Sequence, residues 1–344
     1  MSSRRKVAVQ ADPARNDGLW LREAGVLVVL ILIAWQFVRL RYRFNIELPL
    51  ATLEDLAAGR AYRPFQFRLL VPLLASGLRS IGWGPLVYCY QTIDFAAVIG
   101  LYYSFRYFLS SYFQPGSSRI LSFVVFYALV WNYLLAQDIP ILLPYDLPGV
   151  AFFTLGLALL QRRRWAWFYP VFVVGCLNRE TMIFLTLALV AVEFGRRPVK
   201  DWIAHAAVQA VIWIAVKAVV GYVYRGNPGS PFEFYHVGTR ISHLQTNLEM
   251  FAHPMNLLLV LSNFGFAWVV MLVGRRRIAS PFLRRALWII PPFLLTLLLG
   301  TNINENRLYG ELIPLVMTVS LLVVSHTLRA LAPTTTPVSA PRTL

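Results

Sequence analysis

Long apolar runs constrain this chain more than any other feature. Stretches at 26–40, 257–274 and 312–328 carry almost no charge. Runs of about 18 or more apolar residues are long enough to cross a bilayer as helix. They are continuous rather than alternating, which excludes a transmembrane β-barrel. The composition agrees. The 344 residues are 58% hydrophobic, above the roughly 45–50% of soluble domains. The expected fold class is therefore all-α, a polytopic membrane protein.

The net charge of +16 would suit a nucleic-acid partner, but the placement of the charges does not. The arginines form short clusters between apolar runs: Arg162 to Arg164, Arg196 and Arg197, Arg275 to Arg277, Arg284 and Arg285. That is the pattern of cytoplasmic loops, which also contact anionic lipid headgroups. No basic domain remains for nucleic acid. The two cysteines, Cys89 and Cys176, both lie in apolar segments. A disulfide framework or a zinc site is not expected.

Counting crossings between arginine clusters gives a topology. A polar arm, 1–22, holds Arg4, Arg5 and Lys6 and is expected in the cytoplasm. It lacks a cleavable signal pattern, so the first apolar run, 24–40, should remain as the first helix. Helices follow at 86–108, 119–136 and 147–161. The run at 67–83 is short and contains Arg68, Pro72 and Arg79. It is expected to lie on the outer surface, because a crossing there would put the triple arginine outside. The stretch 165–194 has arginines on both flanks and Asn178-Arg179-Glu180-Thr181 at its middle. It reads as a hairpin of two short helices whose polar turn is buried in protein. Helices at 202–224, 256–273, 286–300 and 309–328 complete about ten. A single transmembrane domain over 23–329 and a disordered cytoplasmic tail over 330–344 are expected, with both termini inside.

This topology gathers most carboxylates, and arginines that anchoring does not explain, on the outer side. Ionisable groups at membrane depth cost about 2.5–3.5 kcal/mol each on insertion scales and usually mark function. Four segments carry them. In 62–70, Arg63 and Arg68 flank aromatic residues. They read either as a bidentate grip on a lipid phosphate or as snorkelling anchors. In the second, Asp138 precedes Pro140, and Tyr145-Asp146 precedes Pro148. Asp146 reads either as a helix cap or as a general base. In the third, Arg179 and Glu180 are either a structural pair or a site for phosphate and acceptor. The fourth, 302–311, contains Asn302, Asn304, Glu305, Asn306, Arg307 and Glu311, groups that hydrogen-bond sugars. Asp94 lies inside a helix as a buried hydrogen-bonding or supporting group. Glu233, His236 and His243 share the outer loop 225–255 without tight ligand spacing. No metal site is assigned, and a divalent cation stays open as cofactor.

The arrangement of a first helix, a long outer loop with a surface helix, and then many helices with charged outer turns resembles the GT-C superfamily. So do Arg63-Pro64-Phe65-Gln66-Phe67-Arg68, Tyr145-Asp146-Leu147-Pro148, Asn178-Arg179-Glu180-Thr181 and Glu305-Asn306-Arg307. GT-C enzymes are integral membrane glycosyltransferases that take sugar from a polyprenyl-phosphate donor on the outer face. The resemblance implies transfer of a sugar to a glycan or lipid acceptor. Arg63, Arg68, Arg179 and Arg307 would bind the donor phosphate. Asp146, Glu180, Glu54 or Asp55 would be catalytic, and Asp138, Asn178, Glu305 and Tyr145 would touch substrate. The family places a catalytic acid early in its first outer loop. This chain has Glu47, Glu54 and Asp55 there, with no acidic pair beside the first helix. Arginine-rich, lysine-poor usage points to a GC-rich bacterial genome, hence a bacterial inner (plasma) membrane. The same features leave three other readings open. One is an O-antigen-type polysaccharide polymerase using Arg240. The others are a transporter and a non-enzymatic membrane scaffold.

Overall fold

The computed structural model describes residues 13–135 and 140–331. It is 75% helical, and its only strands among the described residues are two short ones. Ile46–Glu47 and Ile141–Leu142 pair in parallel, with Ile46 opposite Ile141. Among the described residues five helices are long and apolar enough to cross a membrane: Trp20–Phe44, Pro115–Leu135, Ile203–Val223, Pro281–Gly300 and Asn306–Leu328. This is the make-up of a multi-pass membrane protein. The first helix starts at Pro13 and so takes in the second half of the arm expected at 1–22. The rest of that arm, and 332–344 of the expected tail, lie outside the described residues.

Asp146–Gln161, Leu86–Leu109 and the last helix, whose Asn306–Leu328 span is 78% buried, form the centre. Asp146–Gln161 is buried over most of its length, from Asp146 through Val150, Phe153 and Leu157 to Leu160. It packs along Leu86–Leu109, which is long but interrupts its apolar run with Gln91, Asp94 and Arg106. Other long apolar helices, Trp20–Phe44 and Ile203–Val223 among them, lie outside these. Ile203–Val223 buries only 17% of its apolar window and exposes Val211, Ile214 and Val219. A helix apolar all round needs either a protein interior or lipid around it.

The helices place charged groups at two ends. At one end Arg162 donates to Tyr107 O at 2.7 Å. Arg163 pairs with Glu193, and Arg285 donates to Phe194 O. Glu23 meets Arg106 at 2.8 Å and Arg119 at 2.7 Å. This is the anchor end, where the arginine clusters gather. Residues 41–47, 63–68, 141–146, 178–181 and 302–311 meet at the other end. The hairpin over 165–194 consists of Trp165–Asn178 and Ile183–Glu193. Arg179 lies between them in extended conformation (φ −150°). The short helix Leu70–Ser80 stays at this second end. It buries Val71, Pro72 and Ala75, and Ser76 donates to Ala57 O at 3.2 Å.

The segment expected as one helix over 256–273 is broken instead. Pro254–Leu261 and Asn263–Arg277 meet at 69°. Phe264, Gly265 and Phe266 all have positive φ (56°, 59°, 63°), a conformation that costs energy for residues other than glycine. Buried amides hold it. Asn132 Oδ1 accepts from Phe264 N at 2.8 Å, and Asn263 Nδ2 donates to Asn306 Oδ1 at 3.1 Å. Tyr127 OH donates to Gly265 O at 3.0 Å. A Cβ on Gly265 would lie 2.1 Å from the Tyr127 hydroxyl oxygen. Gly265→Ala is therefore expected to cost about 1–3 kcal/mol, read as a lower melting temperature in detergent. An unchanged melting temperature would mean that the break is not fixed by this contact.

Candidate functional site

Arg41 comes from the last turn of the first helix and its side chain is fully buried. It pairs with Asp94 and donates to Leu143 O at 2.6 Å. The nitrogen that donates to Leu143 O also lies 3.8 Å from Asp146. The short parallel pairing after Phe44 brings these segments together. Asp146 is the first residue of its helix, where the N–H groups favour an acid. The residue in the capping position is Tyr145, which makes no capping bond. The Asp146 carboxylate goes to three guanidiniums instead. Arg179 is at 3.4 Å, Arg307 at 3.2 Å and Arg41 at 3.8 Å.

The extended backbone at Arg179 turns that side chain across to Glu311 at 3.1 Å. Glu311 also accepts from Thr181 Oγ1 at 2.7 Å. Arg307 and Glu311 sit four apart on the 3₁₀ turn Asn306–Leu312. Arg307 reaches Glu305 at 2.5 Å, and Asn302 donates to the same carboxylate at 3.1 Å. A second layer lies beside the first. Arg68 meets Glu180 at 2.6 Å and 3.4 Å and donates to Tyr145 OH at 2.7 Å. Its guanidinium stacks 4.6 Å above the Tyr145 ring. Lys217 lies 3.7 Å from Glu180. Asn178 Nδ2 donates to Tyr145 O at 2.9 Å, so the two layers share the Tyr145–Asp146 backbone.

Five cations (Arg41, Arg68, Arg179, Arg307, Lys217) face five acids (Asp94, Asp146, Glu180, Glu305, Glu311). An unpaired charge buried here would cost several kcal/mol, so the balance is what lets the cluster fold. Bonding capacity is left over. Asp146 Oδ1, Glu311 Oε2, Lys217 Nζ and the Nε atoms of Arg179 and Arg307 are buried without a hydrogen bond. Glu180 is the most open acid of the set, with 38% of its side chain exposed, while Asp146 and Glu311 have none.

The cluster thus brings together Arg68, Tyr145, Asp146, Asn178, Arg179, Glu180, Glu305 and Arg307 from the sequence-based set. Three others are placed elsewhere. Arg63 donates from Nη2 to Gly229 O at 2.6 Å and from its backbone to Pro228 O at 2.8 Å. Glu54 pairs with Arg79 at 3.0 Å on the surface. Asp55 accepts from Thr52 at 2.7 Å, closing the N-cap of Leu53–Ala57. Asp138 lies outside the described residues. Sequence reasoning left Arg41 and Lys217 out and gave Asp94 no definite role. Each had a signal. Arg41 is an arginine at the non-anchor end, Asp94 the one acid in Leu86–Leu109, and Lys217 a lone lysine inside Ile203–Val223.

The loop after Ile203–Val223 is fastened to Arg63 through Pro228 and Gly229. Gly229 (φ +95°) docks so closely that a Cβ there would lie 2.3 Å from the Tyr62 ring. The His236 and His243 rings lie 4.1 Å apart, tilted by 48°, and His243 Nδ1 meets Asn302 Oδ1 at 3.2 Å. Burial, and then the neighbouring His236, hold His243 below the usual histidine range. Among the described residues no three His, Cys, Asp or Glu side chains gather to hold a metal ion. No family model, no curated protein and no solved structure matches the chain.

Proposed function

We propose that the chain is a membrane glycosyltransferase that moves a sugar from a polyprenyl-phosphate-type donor to a glycan or lipid acceptor. The observation that carries this reading is convergence. Segments distant in sequence deliver Arg68, Asp146, Arg179, Glu180 and Arg307 to one place, at the end opposite the arginine anchors. With the anchor end cytoplasmic, the cluster faces outward and both termini lie inside. The chain then makes ten crossings. Six come from the long helices, counting the bent pair as one. Leu86–Leu109, Asp146–Gln161, Trp165–Asn178 and Ile183–Glu193 supply four more. Such a protein would reside in a bacterial inner (plasma) membrane.

The chemistry fits the residues. Breaking the bond between the sugar and the phosphate turns a phosphodiester with one negative charge into a phosphate with two. Guanidinium and ammonium groups in a dry site stabilise that developing charge. The balanced cluster must exchange partners to accept the donor. Exchange costs least at its open edge, where Arg68 and Lys217 can pass from Glu180 to the phosphate. One observation favours a transporter instead. The broken helix at 254–277 resembles the discontinuous helices that line transport sites.

The test uses the purified protein with radiolabelled polyprenyl-phosphate hexoses and pentoses and a total envelope lipid and glycan extract. Labelled acceptor and free polyprenyl phosphate are expected. Arg307→Gln should lower the rate by about 100-fold or more. Absence of transfer from every donor, together with solute uptake in proteoliposomes, would replace this reading with the transporter.

A further inference from the structure

An inverting transfer needs a carboxylate with a free lone pair facing the acceptor hydroxyl. Every acid inside the cluster is ion-paired, and the three that keep an unbonded oxygen, Asp94, Asp146 and Glu311, are fully buried. Asp146 lies among three guanidiniums. Glu311 holds Arg179 and Thr181, Glu305 holds Arg307 and Asn302, and Glu180 is gripped by Arg68 with Lys217 behind it. Asp94 pairs with Arg41. A carboxylate held in an ion pair is a poorer proton acceptor than a free one.

One acid bordering the cluster is different. Glu233 lies in the outer loop, and that loop is fastened on both sides of it. On one side Arg63 N donates to Pro228 O at 2.8 Å and Arg63 Nη2 to Gly229 O at 2.6 Å. This ties the loop to the strand of chain that leads into Arg68. On the other side His243 N donates to Phe234 O at 3.0 Å. Asn247 then bonds Thr301 O at 2.7 Å and Ile303 N at 3.0 Å, next to Glu305 and Arg307. Glu233 is held between these fastenings, with its backbone oxygen against Gly300. Its side chain is partly buried, and among the described residues it makes no hydrogen bond or ion pair. The charged groups that act on it are Arg68 and Glu305, one from each side of the site. Burial pushes its carboxyl up, Arg68 pulls it partly back, and Glu305 adds to the rise. A raised carboxylate is the better base near neutral pH.

We propose that Glu233 is the general base that takes the proton from the acceptor hydroxyl. The proposal rests on the glycosyltransferase reading. In the step, the acceptor O–H bond breaks and its proton passes to a Glu233 carboxylate oxygen. The acceptor oxygen forms a bond to the anomeric carbon. The bond from that carbon to the donor phosphate oxygen breaks, and its electron pair leaves with polyprenyl phosphate. One negative charge is thereby moved from Glu233 to the phosphate, where Arg68, Lys217 and Arg307 stand.

The experiment measures transfer from the active polyprenyl-phosphate sugar by the full-length protein, with Glu233→Gln, Glu233→Asp and Arg307→Gln compared with the parent. Glu233→Gln is expected to lower kcat by about 10²–10⁴-fold, with donor KM and melting temperature unchanged. Glu233→Asp should retain more activity than Glu233→Gln. A Glu233→Gln protein within about threefold of the parent kcat, while Arg307→Gln is impaired, would overturn the role of Glu233 and leave the glycosyltransferase reading standing. A loss of kcat accompanied by a lowered melting temperature in both Glu233 variants would also overturn it, in favour of a structural role. A parent protein that transfers no sugar from any donor would overturn both.

Discussion

Asp146→Leu is expected to lower the stability of the protein in detergent by about 3–5 kcal/mol, more than any other single change in the cluster. The removed carboxylate faces Arg41, Arg179 and Arg307 and is fully buried. Each arginine keeps one other acid: Asp94, Glu311 and Glu305 respectively. The loss is therefore one uncompensated positive charge, not three. The site would then hold five cations against four acids. Adding Arg307→Met to Asp146→Leu restores four against four. The double variant should regain part of the loss, giving a coupling energy of the size seen for residues sharing one ion network. The measurement is a set of melting curves for the parent, both single variants and the double. An Asp146→Leu curve overlapping the parent would mean that this carboxylate is not what neutralises the arginines.

The same cluster shows what could be read from residue order and what could not. Asn178-Arg179-Glu180-Thr181 was legible because charges in the middle of an apolar stretch need partners wherever the chain folds. Burial of both Asn178 and Arg179 is the physical answer to that requirement. Arg63 and Arg68 looked equivalent, five apart and both beside aromatics. Their separation into a loop clasp at Gly229 and an ion pair at Glu180 depends on where 228–229 returns in space, which no local pattern encodes. Glu54 and Asp55 were candidates only because they are acids in the first outer stretch. Local hydrogen bonding at Thr52 and pairing with Arg79 use them up. The break at Asn263–Phe266 was not legible either. Its run carries no charge and is interrupted only by Ser262, Asn263 and Gly265, while the left-handed turn exists because Asn132 and Asn306 arrive from elsewhere to hold it. Arg41 falls just past the expected end of the first helix at residue 40, where a basic residue is common. Only the opposing position of Asp94, fifty-three residues on, shows that its charge is used.

Arg68→Lys should lower kcat/KM for transfer by about 100-fold, or roughly 2.7 kcal/mol at 1.36 kcal/mol per decade, with most of the loss in donor KM. Arg68 makes two contacts to Glu180 and one to Tyr145 OH while stacking on the Tyr145 ring. A planar fork can hold all three directions at once, and an ammonium point charge cannot. The partner acid gives the discriminating sign. If Glu180 were the base, Glu180→Gln would lose kcat and leave donor KM alone. If Glu180 occupies Arg68 and Lys217 until the donor phosphate displaces it, the neutral amide competes less, and donor KM should fall. The half-open position of Glu180 beside fully buried Asp146 and Glu311 favours the second outcome, since a displaceable counter-ion has to reach water when it is released. Initial rates over a range of donor concentrations for the parent, Arg68→Lys and Glu180→Gln separate the two. A higher donor KM in Glu180→Gln would show that the carboxylate helps to bind the donor instead of yielding to it.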